Sequence, residues 1–439
     1  MLFPAHPTAV HKFLQLRGPF MVIWYWIKIF FGFYIACLSI LGSAFAAEPT
    51  RLNLEQAIQI ALERNLELRS KREELGVAEG RVIRANLLLQ RNPQLDGDLS
   101  NRRLNKPDEG FNRNVPQGEI ALSQEFEIGG QPAHRREAAR TNLEKVTFEI
   151  GDFERTLRFR VAAVFLRLLN SEAKIKQAEQ IVDLRGRLDE ASRLRLEAGD
   201  ISESQRMLSE FELNRTRSDL ISLQREREEF LSRLRTDVGL EPDAQIEITG
   251  DLKRPPEPIS AAELVKAALD RRPDFAALER ETKVTEAEEG LIRAERIPNL
   301  TFGAFYQRDD RDNVMGGRVS IPLPVFDRKQ AELRGALARR SAASINYLNL
   351  RQSIEKAVRA AYARFRLSER ELSFYPEASM KRFDEALELY LKAYQERQID
   401  LTEALLFQNQ VIEARQKFID ALTNYNLSLA ELRFHAGIQ

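Results

Sequence analysis

From Ala133 to Glu197 the chain runs 65 residues without a proline, and only Gly151 and Gly186 weaken its helix-forming composition. At 1.5 Å rise per residue this is roughly 98 Å of helix, several times the length of a helix in a globular domain. Apolar residues recur at three- and four-residue steps (Val161, Val164, Phe165, Leu168) with charges between them, the spacing of lateral, coiled-coil-like packing. A second such run covers about residues 328–397, interrupted once by Pro376, which should kink or locally break the helix. Each run ends in a turn and returns through a shorter helix, about 203–235 and 402–434. A chain with two such elements cannot close around one compact core.

The chain also contains itself twice. Ala61-Leu62-Glu63-Arg64 matches Ala268-Leu269-Asp270-Arg271, and Ile83-Arg84-Ala85 matches Ile292-Arg293-Ala294. Asn92-Pro93-Gln94-Leu95 matches Ile297-Pro298-Asn299-Leu300, and "RLRTDVGL" (233–240) resembles "ELRFHAGI" (431–438). Two repeats, 47–250 and 251–439, therefore share the order helix, strand, strand, long helix, second helix. In the first, one helix is expected from Leu54 to about Leu89, ending before Pro93.

The expected strands lie at about 94–100 and 118–128, then 299–307 and 317–326. Ile120, Leu122, Phe126 and Ile128 fall on one face, Glu119, Ser123, Glu125 and Glu127 on the other. The polar stretches "NRRLNKPDEGFNRN" and "QRDDRDN" are expected as loops. Four strands are too few to close a barrel alone. Their alternation suits strands with one face to lipid and one to water; a hairpin packed on helices would alternate in the same way, and the residues leave both open. The last strand carries Pro322 and Pro324 inside its alternation, where the ladder loses donors. It is expected to descend through Val325 and pass into the long helix, with Asp327 as the cap and Gln330 in a reciprocal capping arrangement. The first repeat turns the same corner with Gly129, Gly130 and Pro132.

Before residue 47 the only charges are Lys12, Arg17 and Lys28, leaving 63 basic and 66 acidic residues in the remainder. The charges are mixed rather than clustered, so no basic field exists for nucleic acid. Lys28, the apolar run Ile29–Leu41 and the small residues Ala44 and Ala46 form an export signal over 1–46, with cleavage between Ala46 and Ala47. An uncleaved anchor, a start at Met21 and lipidation of the single cysteine, Cys37, are the alternatives. After residue 46 only His134 and His435 remain as histidines, in separate regions, and no cysteine does. No zinc-ligand cluster, phosphate-binding loop or nucleophile elbow is present, so the expectation is no enzyme, no cofactor and no metal site. His134 is expected to be a solvated residue at a helix start.

The duplicated pattern, the "LNLEQAIQIALERN" opening and the "SIPLPVFDR" junction resemble the TolC-like outer-membrane efflux proteins. The stretch "RAERIPNLTFGAFYQRDD…VSIPLPVFDRKQA" is most similar to the branch serving cobalt–zinc–cadmium-type heavy-metal RND efflux systems. The resemblance implies a mostly α chain with a small transmembrane β part. Three chains would form a 12-stranded outer-membrane barrel continuous with a 100 Å-scale periplasmic α-helical barrel. It further implies a homotrimer in outer-membrane lipid, docked to a periplasmic adaptor and an inner-membrane RND pump, conducting substrate passively. Drug or protein export through the same fold, and a soluble periplasmic coiled-coil scaffold or adaptor, are the other readings. In such proteins the helix–turn–helix tips narrow the tunnel and meet the adaptor. Here these are Gly199, Asp200, Ser202 and Glu203 in the first repeat, and Gln398, Asp400, Thr402 and Glu403 in the second. Rings of Asp or Glu would favour cations, although the same acids can simply cap helix N-termini. Gln398 is expected where a tip glycine is usual.

Overall fold

A computed structural model of the chain describes residues 50–106, 111–252, 260–309 and 312–438. The proposed signal and its cleavage site at Ala46 and Ala47 lie outside the described residues. Arg51–Gln439 forms one unit. Its first half comprises β1 (Thr50–Leu52), α1 (Leu54–Arg64), α2 (Leu66–Ala85), β2 (Gln94–Lys106), β3 (Phe111–Phe126), α3 (Gln131–Glu197) and α4 (Glu203–Val238). The second comprises β4 (Ile246–Ile248), α5 (Ala261–Arg271), α6 (Pro273–Ala294), β5 (Leu300–Asp309), β6 (Asp312–Ser320), α7 (Gln330–Ser373), α8 (Glu377–Gln395) and α9 (Leu401–Ala436).

The expected single helix from Leu54 is two. Asn65 closes α1 and caps α2, its side chain accepting from the Leu68 N–H at 2.9 Å. An Asn competes well for backbone donors at such a junction. α3 is unbroken over 67 residues, about 100 Å at helical rise. The second long run breaks at Pro376 as expected, so 328–397 is not one helix: Pro376 follows the end of α7 and precedes α8, because proline lacks the N–H that the helix interior needs.

Strands β2, β3, β5 and β6 form one antiparallel sheet in that order. β2 and β3 extend into the stretch expected as a loop, with Asn101 opposite Pro116 and Lys106 opposite Phe111. Polar residues there keep the ladder going because both faces of this part can be polar. β6 is likewise displaced: it starts at Asp312 and stops at Ser320, not at Val325. Ile321 precedes Pro322 and Leu323 precedes Pro324, and neither proline can donate to a ladder. Instead the Val325 N–H bonds the Leu323 carbonyl at 2.9 Å, a three-residue turn.

Two cores mirror each other. Leu52, Ala57, Ala61 and Leu68 pack with Leu157, Val161, Phe165, Leu234 and Ile246 in the first half. Leu264, Ala268, Ile354, Val358, Phe365, Tyr425 and Leu432 pack in the second. The α4 and α9 C-termini close onto these cores alike. Asn65 Nδ2 donates to the Asp237 carbonyl at 2.9 Å, and Arg272 Nη1 donates to the His435 carbonyl at 3.2 Å. Arg155 reinforces the second closure, donating to the Phe434 carbonyl at 2.7 Å with its guanidinium over the Phe434 ring.

Candidate functional site

A third core lies where the long helices end. Leu184 and Leu188 of α3 pack against Leu391 and Tyr394 of α8 and Leu401 and Leu405 of α9. Tyr394 is fully buried; its hydroxyl bonds Ser192 Oγ at 2.9 Å, and the Arg195 guanidinium lies 4.6 Å from its ring centre. On the outside of this seam Arg187 grips Glu388 with bonds of 3.1 and 2.6 Å. The hydrogen bond from Arg187 holds the Glu388 carboxyl below its ordinary range. The two turns therefore rest on a packed and cross-linked base.

The first turn closes α3 with Gly199 at φ 74°, and the Asp200 N–H returns to the Arg195 carbonyl at 2.8 Å. The second closes α8 in the same way, with Arg397 at φ 62° and the Gln398 N–H bonded to the Ala393 carbonyl at 2.8 Å. Both are Schellman-type closures. The bonds correct the expected correspondence by one residue: Arg397, not Gln398, stands at the glycine position, and Gln398 corresponds to Asp200. A left-handed residue with a side chain costs roughly 1–2 kcal/mol. An Arg397 Nη2–Asp200 Oδ2 ion pair of 2.5 Å joins the two turns; as a surface pair it offsets at most about 1 kcal/mol of that cost.

Ser202 and Asp400 are equivalent N-caps. Ser202 forms a capping box with Gln205, and Asp400 accepts from the Glu403 N–H at 2.8 Å. Glu203, Thr402 and Glu403 lie exposed in the first turns of α4 and α9, where a negative charge meets the positive end of the helix dipole. Capping thus accounts for Asp400 within one chain, while Asp200 is paired rather than capping. Among the described residues no group of three or more His, Cys, Asp or Glu is placed to hold a metal ion. Asp200 was an expected tip residue, but Arg397 and its pairing with Asp200 were not. The turn "ERQID" contains no glycine, so only the closure bonds reveal the left-handed position.

The sheet is the other candidate surface. Leu95, Leu99, Ile120, Leu122, Phe302, Tyr306, Met315 and Val319 share one face by register, and all are exposed, Leu99 by 93% and Met315 by 80%. The opposite face is polar and cross-linked: Gln117 and Arg102 reach Asp309 at 2.6 and 3.3 Å, and Arg318 reaches Glu119 at 2.8 Å. β2 and β6 are the unpaired edges among the described strands.

The corners beneath the sheet differ from expectation in the second half. At the first corner Gly130, at φ 83°, precedes α3 and Pro132 sits in its first turn. Gly129 is required by space, since a Cβ there would stand 2.5 Å from the Ala294 carbonyl oxygen. At the second corner Asp327 does not cap the long helix. Its Oδ1 accepts from the Lys329 N–H at 2.8 Å, Gln330 Oε1 accepts from the Arg328 N–H at 2.7 Å, and Lys329, at φ 58°, occupies the position before α7. The two-residue reach of Asp327 makes a turn of its own ahead of the helix. His134 is exposed in the first turn of α3 and its ring lies over Gly290 of α6.

Comparison with known proteins shows what this arrangement is similar to. Residues 264–437 match the family described as outer membrane efflux protein. That match covers most of the second repeat, so the second half of the chain resembles this family. The chain is 24% identical over 381 residues to the cobalt-zinc-cadmium resistance protein CzcC of Cupriavidus metallidurans, covering 86% of this chain and 87% of that one. A membrane protein from Pseudomonas aeruginosa superposes with a TM-score of 0.72 at 20% identity, over 87% of this chain and 92% of the other. The CusC structures give 0.72 at 19% over 88% and 92%. The open MtrE channel of Neisseria gonorrhoeae gives 0.69 at 20% over 88% and 89%. At such identities these likenesses establish the fold.

Proposed function

We propose that three copies of this chain form the outer-membrane exit duct of a tripartite efflux pump. Their strands close a 12-stranded barrel, and their helices form a tunnel that places most of the mass in the periplasm after the signal is removed at Ala46–Ala47. The observation that carries this reading is the sheet. Its apolar face is exposed, its polar face is cross-linked, and both edges are open among the described strands, so one chain leaves both an unsatisfied ladder and an uncovered apolar band. Adding copies edge to edge satisfies the ladder, and lipid covers the band. No helix among the described residues is long and apolar enough to cross a membrane. A soluble scaffold would expose the same apolar face to water.

The duct binds no substrate tightly and conducts passively. Heavy-metal cations are the cargo this reading favours, on the likeness to a cobalt-zinc-cadmium resistance protein. The paired turns, with Asp200, Glu203, Asp400 and Glu403, form the narrow end and the docking surface for a periplasmic adaptor linked to an inner-membrane RND pump. Three copies would place three acids of each kind around the axis, a field that attracts cations. Fractionation tests the assembly: recovery in the outer membrane as a three-chain species is expected, and a soluble periplasmic monomer would refute it. Asp400→Ala with Glu403→Ala should reduce cation conductance, and an unchanged conductance would remove these acids from the gate.

A further inference from the structure

Below the apolar face of β6 the chain does not become polar at once. Val319, Ile321, Leu323, Val325 and Phe326 are all exposed, Phe326 by 93%. Directly beneath lies a groove of about 340 Å³ lined by Arg296, Arg328, Gln330, Leu333, Arg334 and Leu337. Leu333, Arg334 and Leu337 lie three, four and seven residues after Gln330 on α7, so the four share one helix face. Arg296 enters from just beyond the end of α6, and Arg328 from the corner before α7.

The three arginines are exposed, and none has a carboxylate partner among the described residues, whereas the nearby Arg293 and Arg340 both grip Glu289. Arg328 commits only Nε, to the Pro324 carbonyl at 3.3 Å. Three guanidinium groups without a carboxylate partner therefore surround an apolar strip, Leu333 and Leu337, continuous with the face assigned to lipid. Guanidinium binds phosphate through paired N–H donors, and the leucines offer nothing to a free ion.

We propose that this groove holds an anionic glycerophospholipid at the periplasmic rim of the barrel, its phosphate on Arg296, Arg328 and Arg334 and its acyl chains along Leu333, Leu337 and the exposed β6 side chains. The proposal rests on the reading of the sheet as lipid-facing. It fixes the depth of the chain in the membrane at the strand-to-helix corner, where the second half has no glycine to let the backbone adapt.

The test is native mass spectrometry of the full chain extracted in mild detergent and titrated with palmitoyl-oleoyl-phosphatidylglycerol, the diacylglycerol of the same chains, or inorganic phosphate. The phospholipid should be retained above the other two. Arg296→Gln, Arg328→Gln and Arg334→Gln should each weaken retention on the order of fivefold. Leu333→Asn should weaken the phospholipid without creating phosphate binding. Circular dichroism with unchanged helix content shows that each variant is folded. Equal retention by wild type and the triple variant would overturn the proposal, as would inorganic phosphate binding as tightly as the lipid. A triple variant whose assembly mass falls while lipid retention is unchanged would assign the groove to a neighbouring copy instead. Failure of the wild-type chain to enter lipid vesicles at all would count against the channel reading, which separates that failure from failure of the groove alone.

Discussion

The two halves of the molecule use the same closures but not the same residues. Before each long helix and after each long helical run the backbone takes a left-handed step. In the first half these steps are Gly130 and Gly199; in the second they are Lys329 and Arg397, the only non-glycine residues at positive φ among the described residues. Glycine makes the step without steric cost. A lysine and an arginine make it at roughly 1–2 kcal/mol each. In return each places a cation where glycine has none: Arg397 on Asp200 of the other turn, and Lys329 near Glu332 at 3.4 Å. The second half thus carries local strain at both ends of its long helical run, and the first half is relaxed there. At a third equivalent step, after α4 and after α9, both halves keep glycine, Gly239 and Gly437.

That third step supplies the largest expected effect. A Cβ on Gly239 would stand 2.6 Å from the Arg64 carbonyl oxygen, whereas on Gly437 the nearest atom is Arg272 Cγ at 3.0 Å. Gly239→Ala combines a left-handed penalty with a backbone clash and should cost about 3 kcal/mol or more by denaturant unfolding. Gly437→Ala should cost less, because a flexible side chain can move; equal losses would break the distinction. Next come the clamps. Arg272→Ala, which frees the His435 carbonyl and leaves Asp274 without its partner at 2.6 Å, should cost about 2–3 kcal/mol. Asn65→Ala, losing a cap and one bond, should cost about 1–2 kcal/mol.

The left-handed cations come third. Lys329→Gly should stabilise by about 1 kcal/mol, and Gly199→Arg should destabilise by a similar amount. Arg397→Gly should gain less than Lys329→Gly, because the Asp200 pair is lost with it. If Arg397→Gly proved destabilising, the ion pair would outweigh the strain.

The smallest effects are in pH dependence, with opposite signs at equivalent positions. Burial raises the Asp237 carboxyl and lowers the His435 imidazole, since both charged forms lose water. Asp237 contributes stability below the ordinary aspartate range that is lost as pH rises through its raised pKa. His435 contributes stability above about pH 6.5 that is lost as pH falls through its lowered pKa. Asp237→Asn should therefore flatten the first dependence and His435→Asn the second, measured as melting temperature against pH.

Much of this architecture was legible because it rests on local pattern. The helix spacing of Val161, Val164, Phe165 and Leu168, and the strand alternation of Ile120 and Leu122, need no tertiary information. What escaped is non-local or conformational. The hairpin of β2 and β3 runs through polar residues whose place is set by cross-strand partners such as Gln117 and Asp309, 192 residues apart. Asp327 has the composition of a cap, yet Lys329 takes the cap position because the backbone there turns left-handed. At the tip, Asp200 and Arg397 meet only through the packing of α3 against α8. An aligned glycine signals such a step; a cation in its place does not.

Single-channel recording of the purified full chain in planar bilayers tests the central claim most directly. Three chains closing one barrel predict discrete conductance steps that favour cations and fall when Asp400 and Glu403 are replaced by alanine. A chain that inserts as a monomer, or that leaves the bilayer electrically silent, would contradict the account.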